Sequence, residues 1–156
     1  MIRDAWIDGD HRYWLRRTFR SGPHLGFCML NPSTADAEHD DATIRRCLGF
    51  ARSWGYAGIE VVNLFSWRST DPRGVLRNLA DAANPITDRE IERVARRSPT
   101  MVAAWGATPW AAERAEAVLG ILRLACPNVV ALGRTQSGAP RHPLRLRADT
   151  VPEVYP

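Results

Sequence analysis

Leu25-Gly26-Phe27-Cys28-Met29-Leu30-Asn31-Pro32 is the stretch that decides the fold. The run from Leu25 to Leu30 is apolar and uncharged, as a strand covered on both faces of a sheet must be. Asn31-Pro32 stops it, because proline removes a backbone donor and asparagine favours a turn. A polar, acidic segment follows to Asp41. Asp40 or Asp41 can cap a helix whose apolar stripe is Ile44, Cys47, Leu48 and Ala51, ending near Gly55.

The same alternation recurs along the chain. Ile59-Glu60-Val61-Val62-Asn63-Leu64-Phe65 reads as a second strand. A weaker helix is predicted over 75–82. Asn84-Pro85 and Thr87-Asp88 introduce a further helix, which ends at Ser98-Pro99. Met101 to Trp105 is a third strand, stopping at Gly106. A helix from about Pro109 to Leu124 and a fourth strand, Asn128 to Leu132, complete the series. Strands that alternate with helices imply a parallel sheet with right-handed crossovers. The expected fold class is therefore α/β, a three-layer α/β/α sandwich with a central four-stranded parallel sheet. Ahead of it, Ala5-Trp6-Ile7, a turn at Asp8-Gly9 and Tyr13-Trp14-Leu15 predict a β-hairpin. One domain is expected over 1–156: hairpin 1–20, core 24–147 and tail 148–156.

In parallel sheets, ligands bind beyond the carboxyl ends of the strands. Asn31, Asn63, Gly106 and Gly133 all finish or follow a strand, so one rim should collect them. Asn63 carries an amide donor and an amide acceptor suited to a base edge; it equally suits a strand-end cap. Asn31 can orient water through its carbonyl oxygen but is no general base near neutral pH; it also reads as a turn former. His142 can donate to a developing oxyanion. Arg134, Arg141, Arg145 and Arg147 surround it with no acid before Asp149, a cluster suited to phosphate or to solvent. Asp36, Glu38, Asp40 and Asp41 offer a general base, with Asp36 the candidate, or oxygens for a divalent metal; capping plus a solvated loop is the plainer reading.

Composition narrows the class. Of 156 residues, 45% are hydrophobic and 24% charged, so a core is affordable and disorder is not implied. Net charge is +4, and all 21 basic residues are arginine, which permits nucleic-acid binding without demanding it. Cys28, Cys47 and Cys126 lack the pairing and spacing of a disulfide framework or zinc site and read as buried thiols. No apolar run spans a bilayer. Met1-Ile2-Arg3-Asp4 mixes acid and base and does not read as a secretory signal, so a cytoplasmic protein is expected.

Two resemblances add to this reading. Met29 to Asp36, Asp40 to Cys47 and Gly138 to Leu144 together resemble a bacterial and phage family known as domain of unknown function 1643. More distantly, the layout is similar to the uracil-DNA glycosylase superfamily. Leu30-Asn31-Pro32, Val62-Asn63-Leu64, Trp105-Gly106-Ala107 with Ala111, and His142-Pro143-Leu144 stand in the order of that superfamily's motifs. The resemblance implies catalytic roles for Asn31 and His142, base reading by Asn63, and substrate contacts from Pro32, Ser33, Gly106 and Pro143. Between Asn31 and Cys47 there is no aromatic, so Trp67 and Arg68 are the candidates for stacking on a base. Arg134 and Arg141 are the candidates for phosphate. The expected partner is a nucleic acid or nucleotide, with no cofactor and no membrane. The expected reaction is hydrolysis of an N-glycosidic bond; a binding module without chemistry, or a small-molecule hydrolase, is the alternative.

Overall fold

A computed structural model describes residues 1–156. The elements run β1 (Ile2–Asp8), β2 (His11–Thr18), β3 (His24–Met29), α1 (Ala42–Ser53), β4 (Gly58–Asn63), α2 (Pro72–Arg77), α3 (Pro85–Arg97), β5 (Met101–Ala103), a single 3-10 turn (Pro109–Ala111), α4 (Ala112–Ala125), β6 (Val129–Ala131) and β7 (Glu153–Val154). The fold is mixed α/β. All seven strands form one sheet in the order β1-β2-β4-β3-β5-β6-β7.

The sheet is wider than four strands. β3 pairs parallel with β4 and β5, and β5 with β6. The hairpin joins the same sheet, β2 running antiparallel to β4 with Leu15 opposite Val61. The tail, expected to lie outside the core, adds β7 antiparallel to β6. Its two residues are exposed and show no apolar alternation, so nothing local announces a strand.

Side chains alternate across each strand. Phe27, Met29, Ile59, Val61, Val102 and Val130 pack with Ile44, Cys47, Leu48 and Ala51 of α1. Their neighbours Cys28, Val62, Met101, Ala103 and Val129 pack with Ile91, Val94 and Ala95 of α3 and with Val118 and Leu122 of α4. The sheet thus separates two apolar cores, which is why its strands carry apolar residues at successive positions. The three cysteines are buried and unpaired.

Caps fix where the helices begin. The Asp41 carboxylate accepts from the Ile44 N–H at 2.9 Å, so of the two aspartates it is Asp41 that caps α1. Asp71 caps α2, which starts earlier than expected and stops at Arg77. Asn84 and Thr87 make a reciprocal capping box at α3.

Charge is buried where the hairpin meets the sheet. Glu60 lies inside β4 and is held by Arg16 and, at 3.2 Å, by Arg93. Arg17 is 0% exposed. It pairs with Asp40 at 2.6 Å and donates to the Asp36 and His39 carbonyls. β2 therefore ties the acidic loop down onto the sheet.

Candidate functional site

β3 and β4 stay paired past their regular ends. Leu64 N–H donates to the Met29 carbonyl at 2.8 Å, and Phe65 N–H to that of Leu30 at 3.0 Å. This sets Asn31 and Asn63 at neighbouring strand ends. Beyond β5, Gly106 N–H donates to the Pro140 carbonyl at 2.8 Å, and Arg141 N–H donates to that of Gly133 at 3.0 Å. Both glycines hold positive φ, at +75° and +104°, which suits residues without a Cβ. The segment after β6 is thus folded back across the rim. That is how His142, well past β6 in sequence, reaches the strand ends.

The result is a cavity of about 660 Å³. Asn31, Pro32, Ser33, Asn63, Gly106 and His142 line it, together with Arg12, Asp41, Thr43, Ser69, Thr70, Thr108 and Arg145. Its volume lies within the range of small-molecule sites. Arg12 and Asn63 are 2% and 3% exposed and form the floor.

Each polar group has a defined open face. Asn31 Nδ2 donates to the Pro32 carbonyl at 3.0 Å and the Ser69 carbonyl at 2.9 Å. Both donors are used, the amide is fixed, and Oδ1 remains free to accept. Asn63 is oriented the opposite way. Its Oδ1 accepts from Arg12 at 3.4 Å, which leaves Nδ2–H as the open group. His142 Nδ1 accepts from Leu144 N–H at 3.1 Å. The ring proton of the neutral imidazole therefore sits on Nε2. Burial lowers the His142 pKa, partly opposed by the nearby Asp41 carboxylate, and favours that neutral form.

Other sequence candidates lie elsewhere. Asp36 is in the loop, where its Oδ1 accepts from Glu38 N–H and His39 N–H, both at 2.8 Å. Those bonds pull its pKa down to about 2, a value unsuited to a general base at neutral pH. Asp40 is committed to Arg17, and both oxygens of Asp41 accept backbone N–H groups, from Ile44 and Ala35. These carboxylates are spent on structure. Trp67 packs edge-on to His11, 5.7 Å between centroids, and does not line the cavity. Arg68 donates to the Ser33 and Thr34 carbonyls, bracing the loop behind the cavity. Arg134 stands over the Tyr155 ring, and Arg141 donates to the Arg134 carbonyl. Neither lines the cavity, and nor does the buried Pro143.

Arg12 is what sequence reasoning missed. An arginine beside Tyr13-Trp14-Leu15 in a hairpin reads as solvated. Here it donates to the Ala35 carbonyl at 3.1 Å and to Asn63, with Nε buried and without a partner. No carboxylate lies within ion-pairing distance of it. Burial pushes its pKa down to about 10, and Asp41 opposes the shift.

A second cavity of about 440 Å³ adjoins the first across Trp105, Gly106 and Thr108. Its wall is largely apolar, with Ala111, Ala115, Leu119 and Tyr155.

No helix is long and apolar enough to cross a membrane. No curated protein and no solved structure matches the chain. The family model described as "Protein of unknown function (DUF1643)" matches residues 12–144, nearly the whole span from the cavity's first arginine to its last loop, and the chain belongs to that family.

Proposed function

We infer that the cavity binds a nucleobase-containing ligand and that hydrolysis of its N-glycosidic bond is the reaction its groups favour. One observation carries this reading: three fixed, complementary polar groups, from Asn31, Asn63 and His142, open into one cavity at the strand ends. Asn31 Oδ1 accepts from a water and aims it at the anomeric carbon. Water adds there as the carbon–nitrogen bond breaks, the base leaves with the bonding electrons, and the proton that the added water loses passes through solvent to the departing base. His142 Nε2–H donates to the negative charge that develops, a contribution worth about 3 kcal/mol in comparable oxyanion sites. Asn63 Nδ2–H meets an oxygen of the ligand. The uracil-DNA glycosylase resemblance, an α/β fold with a site at the strand ends, supports the same assignment.

A binding module without chemistry is the second reading, and Asp41 favours it. It is the carboxylate that lines the cavity, and both its oxygens are occupied by backbone donors. No free carboxylate stands by to take the proton from water.

The test is incubation with uracil- or hypoxanthine-containing DNA, single- and double-stranded, and with free nucleotides. Abasic sites are read by alkaline cleavage, and released base by chromatography. Hydrolysis that falls at least 100-fold in Asn31→Ala and His142→Ala supports the enzyme. Binding of these ligands with no turnover supports the module. Neither binding nor turnover overturns both.

A further inference from the structure

The floor of the cavity holds a cation that nothing in the protein neutralises at close range. Arg12 is almost wholly inaccessible, and its two protein acceptors, the Ala35 carbonyl and the Asn63 amide oxygen, are both uncharged. A buried guanidinium normally sits against a carboxylate, because desolvating a lone charge is costly. Arg17, on the same strand, shows that arrangement, paired to Asp40 and saturated with carbonyls. Arg12 departs from it: Nε has no partner at all. Asp41 is near enough to act on its charge but has committed both oxygens elsewhere.

The surroundings point the same way. Asn63 spends Oδ1 on Arg12, and its donor, Nδ2–H, has no protein acceptor. Ser33, Thr43, Thr70 and Arg145, all able to donate, line the walls together with Asp41, whose oxygens accept backbone N–H groups. Arg145 is the one non-glycine residue with positive φ, at +71°. That wall of donors matches a group with several acceptor oxygens and a negative charge. Next door, the apolar chamber behind Trp105 offers a place for a flat, less polar body.

We propose that the floor formed by Arg12 and Asn63 is a monophosphate subsite, and that the ligand is a free nucleoside monophosphate rather than a base turned out of a polymer. The phosphate seats against the Arg12 guanidinium with Asn63 Nδ2–H beside it, and the base reaches toward Trp105 and the apolar chamber. A phosphodiester within a strand is flanked by sugars on both sides and stays at the surface. Only a terminal monophosphate enters to the floor. The inference rests on the nucleotide reading for the rest of the ligand, but the subsite stands on Arg12 alone.

The experiment titrates the full chain with four probes, followed by intrinsic tryptophan fluorescence and thermal stabilisation. They are a purine and a pyrimidine nucleoside 5′-monophosphate, the parent nucleosides, inorganic phosphate, and single-stranded oligonucleotides with the same bases. The expected result is at least tenfold tighter binding of a monophosphate than of its nucleoside, with the oligonucleotide no better than the nucleoside. Arg12→Gln should abolish the difference and Arg12→Lys should keep part of it. If Arg12→Gln fails to fold, the wild-type comparison and Arg12→Lys still decide. Inorganic phosphate binding as tightly as the nucleotides, in an Arg12-dependent way, upholds the subsite and removes the nucleotide reading. Equal binding of nucleoside and monophosphate, a preference that survives Arg12→Gln, tighter binding of the oligonucleotide, or no binding of any probe overturns the proposal.

Discussion

His142 accepts a backbone N–H on Nδ1 and is half-buried, and both facts favour the neutral ring. Its folded pKa is lowered by burial, with Asp41 opposing, and that of His24 is lowered by burial too. The unfolded chain therefore binds more protons than the folded one just below the unfolded histidine pKa, about 6.5. The stabilisation is fully present above that pH and is lost as pH falls toward the lowered folded values. Urea unfolding at pH 8 and pH 5 should show the wild type weaker at pH 5, and His142→Gln should lose less between the two. A variant as pH-sensitive as the wild type would contradict the assignment. At the same scale, Asn31→Asp would place a carboxylate where two carbonyls now accept from the amide. Those carbonyls would face a negative oxygen with no proton between them, so the loop should lose about 1–3 kcal/mol, measured by denaturant midpoint.

Among the elements, two glycines lock the sheet and should respond differently to a methyl group. A Cβ at Gly58 would lie 2.1 Å from the Arg17 carbonyl oxygen, across the β2–β4 ladder. A Cβ at Gly26 would lie 2.1 Å from Met101 Sδ and 2.9 Å from Ser98 Oγ, both side-chain atoms. Backbone cannot step aside without breaking the ladder, whereas a thioether can rotate. Gly26→Ala should cost about 1–3 kcal/mol, the usual range for overpacking, and Gly58→Ala clearly more. Thermal melts of the two variants side by side check the order. These elements also show what sequence can reveal. Apolar runs buried on both faces announce β3, β4, β5 and β6, and cap residues announce α1 and α3. By contrast, β7 is an exposed Glu153-Val154 pair whose only strand signal is its partner β6. Asn31, Asn63 and Gly106 were legible as residues of one rim because they stand where strands stop, and all three line the cavity. Arg12 was not, because its burial comes from the loop at Ala35 and from Asn63, both remote in sequence. Arg17 did carry a signal: strand alternation puts it on the face of Leu15, which packs with α1.

Across the whole molecule, Arg17 is the main tie between the hairpin and the acidic loop, beside Arg12 on Ala35 and Arg3 on Asp40. Its guanidinium reaches the Asp4, Arg16, Asp36 and His39 carbonyls and the Asp40 carboxylate. Hairpin and acidic loop, up to the residue before the α1 cap, are thereby held as one body. Arg17→Met removes the cation and leaves Asp40 to the more exposed Arg3, 3.7 Å away. Breaking such a buried pair typically costs about 3–5 kcal/mol. Hydrogen exchange should show the loss first in residues 34–41, ahead of β3 and β4. Uniform loss across the chain would mean that the loop is not a separate cooperative unit.

The cavity's lining is drawn from both halves of the chain: Arg12, Asn31, Asn63 and Thr70 before Ala80, and Trp105, Thr108, His142 and Arg145 after it. Ala80 and Asp81 are exposed and lie between α2 and α3. A cut there leaves every helix and strand intact but divides the sheet between β3 and β5 and the cavity between two fragments. Any compound that fills the reunited cavity would then act as glue. At a hundred times its Kd it would strengthen fragment association by about 2.7 kcal/mol, roughly a hundredfold. Fused to the halves of a split reporter, the two pieces would turn occupancy of the cavity into a signal, so that compound collections could be screened for the natural ligand before any reaction is known.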